Sequence, residues 1–295
     1  MVQWRGRRRS SNVGFKAAGR RRGGIPLPIG GKGGLSIGTI VIIGIAALIF
    51  GVNPLALLGG GSGGVPATSP STSAPAATAR GDPCEAGEIN AFICVMLADT
   101  ETVWAEEFAE ESSKYPEPTL WFYDGYTQTS GCGAAQSAVG PFYCPADNGI
   151  YIDTSFFAQL EQMGGRGDFA IAYVVAHEVG HHIQTVTGLS EQVRAEQRRV
   201  SEADANDLSV RMELQADCYA GVFAYENRQY LDPGDIDEAM AAANAIGDDT
   251  LQRNAGRRPV PDSFTHGTSQ QRKDWFMRGA RSGDPGDCDT FSGPI

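Results

Sequence analysis

"AYVVAHEVGHHIQTVTG", Ala172 to Gly188, carries three of the chain's four histidines inside a run that otherwise reads as buried helix. Just upstream, "FAIAYVVA", residues 169–176, has almost no polar face, so the helix expected over Phe169 to Thr187 is central in its domain. Asp168 is the expected N-cap and Gly188 the stop. His177 and His181 are four apart and project from one side, and Glu178 lies about 100° around the axis, beside them. Two imidazoles and a carboxylate in an apolar helix are costly unless something compensates them, and a divalent cation does so. HExxH has the mechanics of a zinc site, in which two imidazoles grip the metal while the glutamate reaches its water. His182 faces away from this pair and reads as a structural hydrogen-bonder.

A zinc site needs a third protein ligand. "RMELQADCYAG", residues 211–221, supplies candidates on a helix expected over Leu208 to Glu226, with an apolar stripe at Leu208, Met212, Leu214, Tyr219, Val222 and Phe223. Glu213 and Asp217 are again i and i+4, and buried carboxylates also require partners. Glu213 on the metal, with Asp217 accepting a hydrogen bond from a ligand histidine, satisfies all four side chains and fixes the tautomer of the ligand. The reverse assignment, Asp217 on the metal, stays open, as does a pair of solvated acids. Gly180, between the two histidines, allows a second backbone to approach closely. Two neutral imidazoles and one carboxylate leave a Zn²⁺ site at a charge of about +1 with a vacant position, which lowers the pKa of a water there to about 7. Glu178 is the expected general base, returning the proton to the leaving amine.

The 295 residues, 41% hydrophobic, suffice for one sizeable domain or two small ones. The net charge of −11 is uneven. Residues 1–34 hold nine Lys/Arg and no acid, which leaves 15 basic against 35 acidic residues in the remainder. A body that acidic repels nucleic acid, so no nucleic-acid partner is expected. Leu35 to Leu58 contains no charge and is long enough to span a bilayer. Arginines before it and acids after it imply a cytoplasmic N-terminus and an extracytoplasmic body; a cleaved signal peptide is the alternative. Gly59 to Pro83 is small, polar and proline-rich, as a disordered linker is. The organisation expected is therefore a basic cytoplasmic tail (1–34), a transmembrane helix (35–58), a linker (59–83) and a folded domain (84–295).

That domain reads as α+β, mainly helical with a small β-sheet. "EINAFICVMLADTETVWAEEFAEES" has helical spacing with acids outward, whereas "TLWFYDG", "GCGAAQS", "GPFYC" and "NGIYIDT" read as three or four short strands. "SFFAQLEQM", "PGDIDEAMAAANAIGDDTLQ" and "SQQRKDWFMRGARSGD" read as further helical segments. Six cysteines, none in a CxxC, suit disulfides in an oxidising compartment. Cys132 and Cys144 bracket two strands, and a bridge there would contribute on the order of 3 kcal/mol. "RGD", residues 166–168, is an integrin-binding tripeptide but is explained here as a loop followed by a helix start.

"AHEVGHH", "SVRMELQADCYAG", "GPFYCPAD", "YIDTSFF", "AIGDD" and "PDSFTHGTSQQR…WF", in one order from about Glu88 to Phe291, resemble the bacterial neutral zinc metallopeptidase family, membrane-anchored zincins of the HExxH…Glu kind similar to minimal gluzincins. The resemblance implies a zincin-like fold, a Zn²⁺ cofactor, ligands at His177, His181 and Glu213, a general base at Glu178 and a peptide or protein substrate. Cys84 and Cys94 lie at the margin of the shared blocks and are paired locally; Cys218 with Cys288 would clamp the C-terminal tail to the metal helix. By similarity to zincins with a distal oxyanion donor, His266 would polarise the scissile carbonyl; a plain contact ahead of the last helix is the other reading. A catalytically silent, zinc-stabilised, membrane-tethered scaffold and an RGD adhesion module are the competing functions.

Overall fold

The computed structural model describes residues 1–16 and 81–295. The chain is mostly helical with a small sheet. Helix α1, Glu88–Glu110, is buried around most of its circumference from Ala91 to Ala98 and stands in the main core. A four-stranded sheet follows, built on the parallel pair β2, Thr119–Phe122, and β6, Gly149–Ile152, with Leu120 opposite Ile150 and Phe122 opposite Ile152. One edge is β5, Phe142–Cys144, antiparallel to β6. The other is β1, Val13–Phe15, parallel to β2. A separate antiparallel ribbon joins β3, Tyr126–Gln128, to β4, Ala134–Gln136, so the "GCGAAQS" segment pairs with β3 and is not a strand of the larger sheet.

The remaining helices are α2 (Ser155–Gln162), α3 (Asp168–Val186), α4 (Leu189–Gln197), α5 (Glu202–Glu226), α6 (Asp235–Ala245), α7 (Asp248–Asn254) and α8 (Ser269–Ser282). Helix α3 is the axis, packed against α1, α4, α5, α6 and β5. Asp168 starts this helix but does not cap it; its carboxylate accepts from the Val2 N–H, and Glu238 of α6 accepts from the Phe169 N–H instead. Helix α5 begins at Glu202, earlier than the apolar stripe indicated, because Ser201 caps the Asp204 N–H. Two close crossings fix α5. A Cβ on Gly180 of α3 would stand 2.9 Å from the Ala216 Cα, and Cβ atoms on Gly221 and Gly279 would stand 2.0 Å from carbonyls of α8 and α5, respectively. Glycine at these points lets α3, α5 and α8 pack backbone to backbone.

Residues 1–16 belong to this fold. Val2 is buried in the main core and Trp4 packs edge-on against Phe92, with ring centroids 5.7 Å apart. The arginines meet acids of the next segment: Arg5 with Glu88, Arg7 with Asp99 at 2.8 Å, Arg8 with Glu101 at 2.8 Å, and Arg9 with Glu85. Glu101, expected on an outer face, is only 3% exposed and also accepts from Ser10 and from Asn12 Nδ2, the latter at 2.9 Å.

This corrects the expected topology. A single crossing between residues 16 and 81 would put β1 and β2 on opposite sides of a membrane, yet they share hydrogen bonds in one sheet and one core. Among the described residues no helix is long and apolar enough to cross a membrane. The stretch 35–58, expected as a transmembrane helix, and most of the linker expected over 59–83 lie outside the described residues. A single-pass arrangement with a cytoplasmic tail and an extracytoplasmic domain is therefore not supported.

All six cysteines are paired as anticipated, Cys84–Cys94, Cys132–Cys144 and Cys218–Cys288. His182 ties α3 to β5. Its Nε2–H donates to the Pro116 carbonyl, and its Nδ1 accepts from the Tyr143 hydroxyl at 3.1 Å. Burial pushes its pKa from 6.5 down to about 4.

Replacing Arg8 by methionine strips Glu101 of its counter-charge and should lower unfolding free energy by about 1–2 kcal/mol, read by urea denaturation. His182 makes a second contribution, which depends on pH. Above pH 6.5 it is neutral folded or unfolded. Below 6.5 the unfolded chain takes up a proton that the folded chain refuses until about pH 4. Stability is therefore lost as pH falls through that window, by roughly 3 kcal/mol in full. With chelator present throughout, His182→Gln should flatten the fall in unfolding free energy between pH 6.5 and 4.5 relative to the unaltered chain.

Candidate metal centre

Helix α3 presents His177 and His181 one turn apart, their rings edge to face with centroids 4.8 Å apart. Helix α5, held close by the Gly180–Ala216 approach, brings Glu213 between them. Glu213 Oε2 lies 3.2 Å from His177 Nε2, and its Oε1 lies 3.4 Å from His181 Nε2. One ligand atom from each of the three residues falls within 4.8 Å of the others, a group that could hold a metal ion. The donor set, two imidazole nitrogens and a carboxylate, suits zinc. All six cysteines are in disulfides, so no thiolate is available to complete such a site.

Both imidazoles are oriented by acceptors on their far side. His177 Nδ1 lies 2.9 Å from Asp217 Oδ1, and His181 Nδ1 lies 2.9 Å from Gln184 Oε1. In the neutral ring, a proton on each Nδ1 leaves each Nε2 lone pair facing Glu213. Asp217 thus lies behind His177, on the side of the ring away from Glu213. Its surroundings were not foreseen. Arg272 of α8 donates to Asp217 twice, from Nε at 2.8 Å and Nη2 at 2.9 Å, and the Tyr173 hydroxyl donates to Oδ1. Asp217 is fully buried and Arg272 is 2% exposed. In sequence, an arginine in the "SQQR" of an amphipathic helix looks solvent-facing, which is why Arg272 does not stand out there.

The electrostatics of the cluster favour added positive charge. Burial alone would lower the His177 pKa, but the Asp217 charge and hydrogen bond and the Glu213 contact raise it to about 9. Burial alone would raise Glu213; the charges of His181 and His266 and the histidine hydrogen bonds hold it well below the usual carboxylate range. Asp217, likewise opposed by burial, is pulled down by Arg272 and His177. Glu178 behaves oppositely. Burial raises its carboxyl pKa, with the two histidine charges pulling against it, and the side chain is only 7% exposed.

His266 enters from the loop before α8. The Asp248 carboxylate organises that loop, with Oδ2 accepting from the backbone N–H groups of Thr265 (2.7 Å), His266 (2.7 Å) and Gly267 (3.2 Å). Asp248 Oδ1 also lies 3.3 Å from His266 Nδ1. Burial acts to lower the His266 pKa, but Glu213 and Asp248 raise it overall, which favours the ring as a donor.

Arg272→Met would leave the Asp217 carboxylate buried without its partner and should cost about 3–5 kcal/mol of unfolding free energy in metal-free protein. Adding Asp217→Leu should recover part of that loss in a double-mutant cycle.

The family described as "Putative neutral zinc metallopeptidase" matches residues 2–291. The chain is 46% identical over 302 residues, covering the full length of both proteins, to an uncharacterised Escherichia coli K12 protein, YpfJ. It is 46% identical over 192 residues, 60% of this chain and 64% of the other, to an uncharacterised protein of Mycobacterium tuberculosis H37Rv. No solved structure matches. A family match over nearly the whole chain, together with an alignable relative end to end, means that this protein belongs to the neutral zinc metallopeptidase family.

Proposed function

We propose that the chain hydrolyses peptide bonds in peptide or protein substrates, with His177, His181 and Glu213 as zinc ligands and Glu178 as general base. The observation that carries this reading is the convergence of two imidazole Nε2 atoms and one carboxylate from α3 and α5. Three protein donors are one fewer than a closed structural zinc site uses, so a coordination position remains for water or substrate. Bound there, zinc would supply a Lewis acid that acidifies a water and polarises the scissile carbonyl.

The chain's own residues supply the remainder. Glu178 follows His177 on the same helix, and its raised pKa suits a carboxylate that takes the proton of the attacking water and hands it to the leaving amine. His266, with Nδ1 engaged by Thr265 and Asp248, makes no hydrogen bond through Nε2 among the described residues, and we assign that N–H to the carbonyl oxygen as negative charge builds on it. Asp217 and Arg272 act on His177 from behind and do not touch substrate.

Glu178→Gln should retain zinc at full occupancy and lose about 10²–10⁴-fold in the rate of cleavage of a denatured protein library, read by mass spectrometry of new termini. Equal cleavage by the variant would contradict the general-base assignment. Full zinc occupancy with no cleavage by the unaltered chain would instead favour a zinc-stabilised scaffold. His266→Gln should lower kcat by about 10²-fold with a smaller change in KM if the ring acts on the transition state.

A further inference from the structure

The two candidate histidine ligands are oriented by different chemistry. Behind His181 lies a line of neutral amides. Gln184 Oε1 is 2.9 Å from His181 Nδ1. Gln184 Nε2 donates to the Met212 carbonyl at 2.7 Å and to Gln215 Oε1 at 3.0 Å. Gln215 Nε2 donates in turn to the Cys288 carbonyl at 3.1 Å. Both glutamines are buried.

The direction of this line follows from its ends. Met212 and Cys288 contribute backbone carbonyls, which only accept. Gln215 must therefore turn its NH₂ to Cys288 and its oxygen to Gln184. Gln184 must turn its NH₂ to Met212 and Gln215, which leaves its oxygen for His181. An amide oxygen only accepts, so the His181 proton is required on Nδ1 and the lone pair on Nε2 faces Glu213. The far end is anchored covalently, because Cys288 is bonded to Cys218 of α5, one residue after Asp217. Thr290 Oγ1 adds a 2.8 Å hydrogen bond to the Arg211 carbonyl on the same helix.

We infer that Gln184 and Gln215 are positioning residues that hold His181 in its metal-binding tautomer, with the Cys218–Cys288 disulfide fixing the last acceptor of the relay. This rests on the proposed metal site. Met212 precedes Glu213, so the Gln184 amide also locks the second helix at the turn that carries the third ligand. The relay carries no net charge, unlike the Asp217–Arg272 arrangement behind His177. It sets ring orientation without adding to the charge at the centre.

The test titrates Zn²⁺ against a chromophoric chelator, using the full chain with its disulfides intact. Gln184→Met should weaken zinc binding by about 10–100-fold. Gln215→Met leaves the direct partner of His181 in place and should weaken it by a smaller factor, roughly 3–10-fold. Gln197→Met is the structural control: its amide bonds the Ala205 carbonyl and Ser209 Oγ between α4 and α5, outside the relay, and should leave zinc affinity unchanged. In ¹H–¹⁵N spectra of zinc-loaded protein, the His181 Nδ1–H resonance should be protected from exchange in the unaltered chain and shifted and exchanging in Gln184→Met. Zinc affinity within twofold of the unaltered chain in Gln184→Met, an unaltered Nδ1–H resonance, or an equal loss in Gln197→Met would overturn the relay while leaving the metal site standing. Absence of zinc binding by the unaltered chain would overturn both.

Discussion

A buried carboxylate cannot stay charged in a protein core without a partner, and Asp217 meets that demand in a way that organises three helices. Arg272 of α8 donates to it twice, Tyr173 of α3 donates once, and His177 of α3 completes the set. Taking either charge from water costs several kcal/mol, and the geometry must be good to offset it. Good geometry needs the helices close. Gly180 permits α3 to approach α5, while Gly221 and Gly279 permit α5 to approach α8. The candidate metal site thus stands on a backbone crossing that larger side chains would forbid.

The centre has an unequal pair of supports. Behind His177, a carboxylate neutralised by a guanidinium polarises the imidazole and raises its basicity. Behind His181, neutral amides fix orientation alone. Asp217 and Arg272 cancel, so the net charge at the candidate metal site is set by Glu213, and Glu178 stands beside it with its carboxyl pKa raised by burial. An environment that pushes the candidate ligand Glu213 down and the neighbouring Glu178 up holds two carboxylates apart in pKa, which is the arrangement the proposed acid–base chemistry needs.

Local periodicity made part of this legible. His177 with His181, and Glu213 with Asp217, are i, i+4 pairs within single helices, Glu178 sits one residue after His177, and helix geometry alone says which side chains lie side by side. The partners of Asp217 are not local. Arg272 is 55 residues away from it in sequence, and from Tyr173 it is 99 away. No window along the chain reports such a meeting. The N-terminal arginines illustrate the opposite error. A basic run reads as a solvated tail, but Arg5, Arg7, Arg8 and Arg9 each have an acid waiting on α1 or just before it, and Val13–Phe15 supplies a strand to the sheet. Asp168 shows the same non-local effect: the Phe169 N–H at the start of α3 donates to Glu238, 69 residues further along the chain, which frees Asp168 to hold the N-terminal segment.

The central claim is that one zinc ion is held by the Nε2 atoms of His177 and His181 and a carboxylate oxygen of Glu213. Zinc-edge X-ray absorption fine structure on the loaded protein tests it directly. The account predicts two imidazole nitrogens at about 2.0–2.1 Å, light oxygen scatterers near that distance and no sulfur. A sulfur shell near about 2.3 Å, or fewer than two imidazoles, would contradict it.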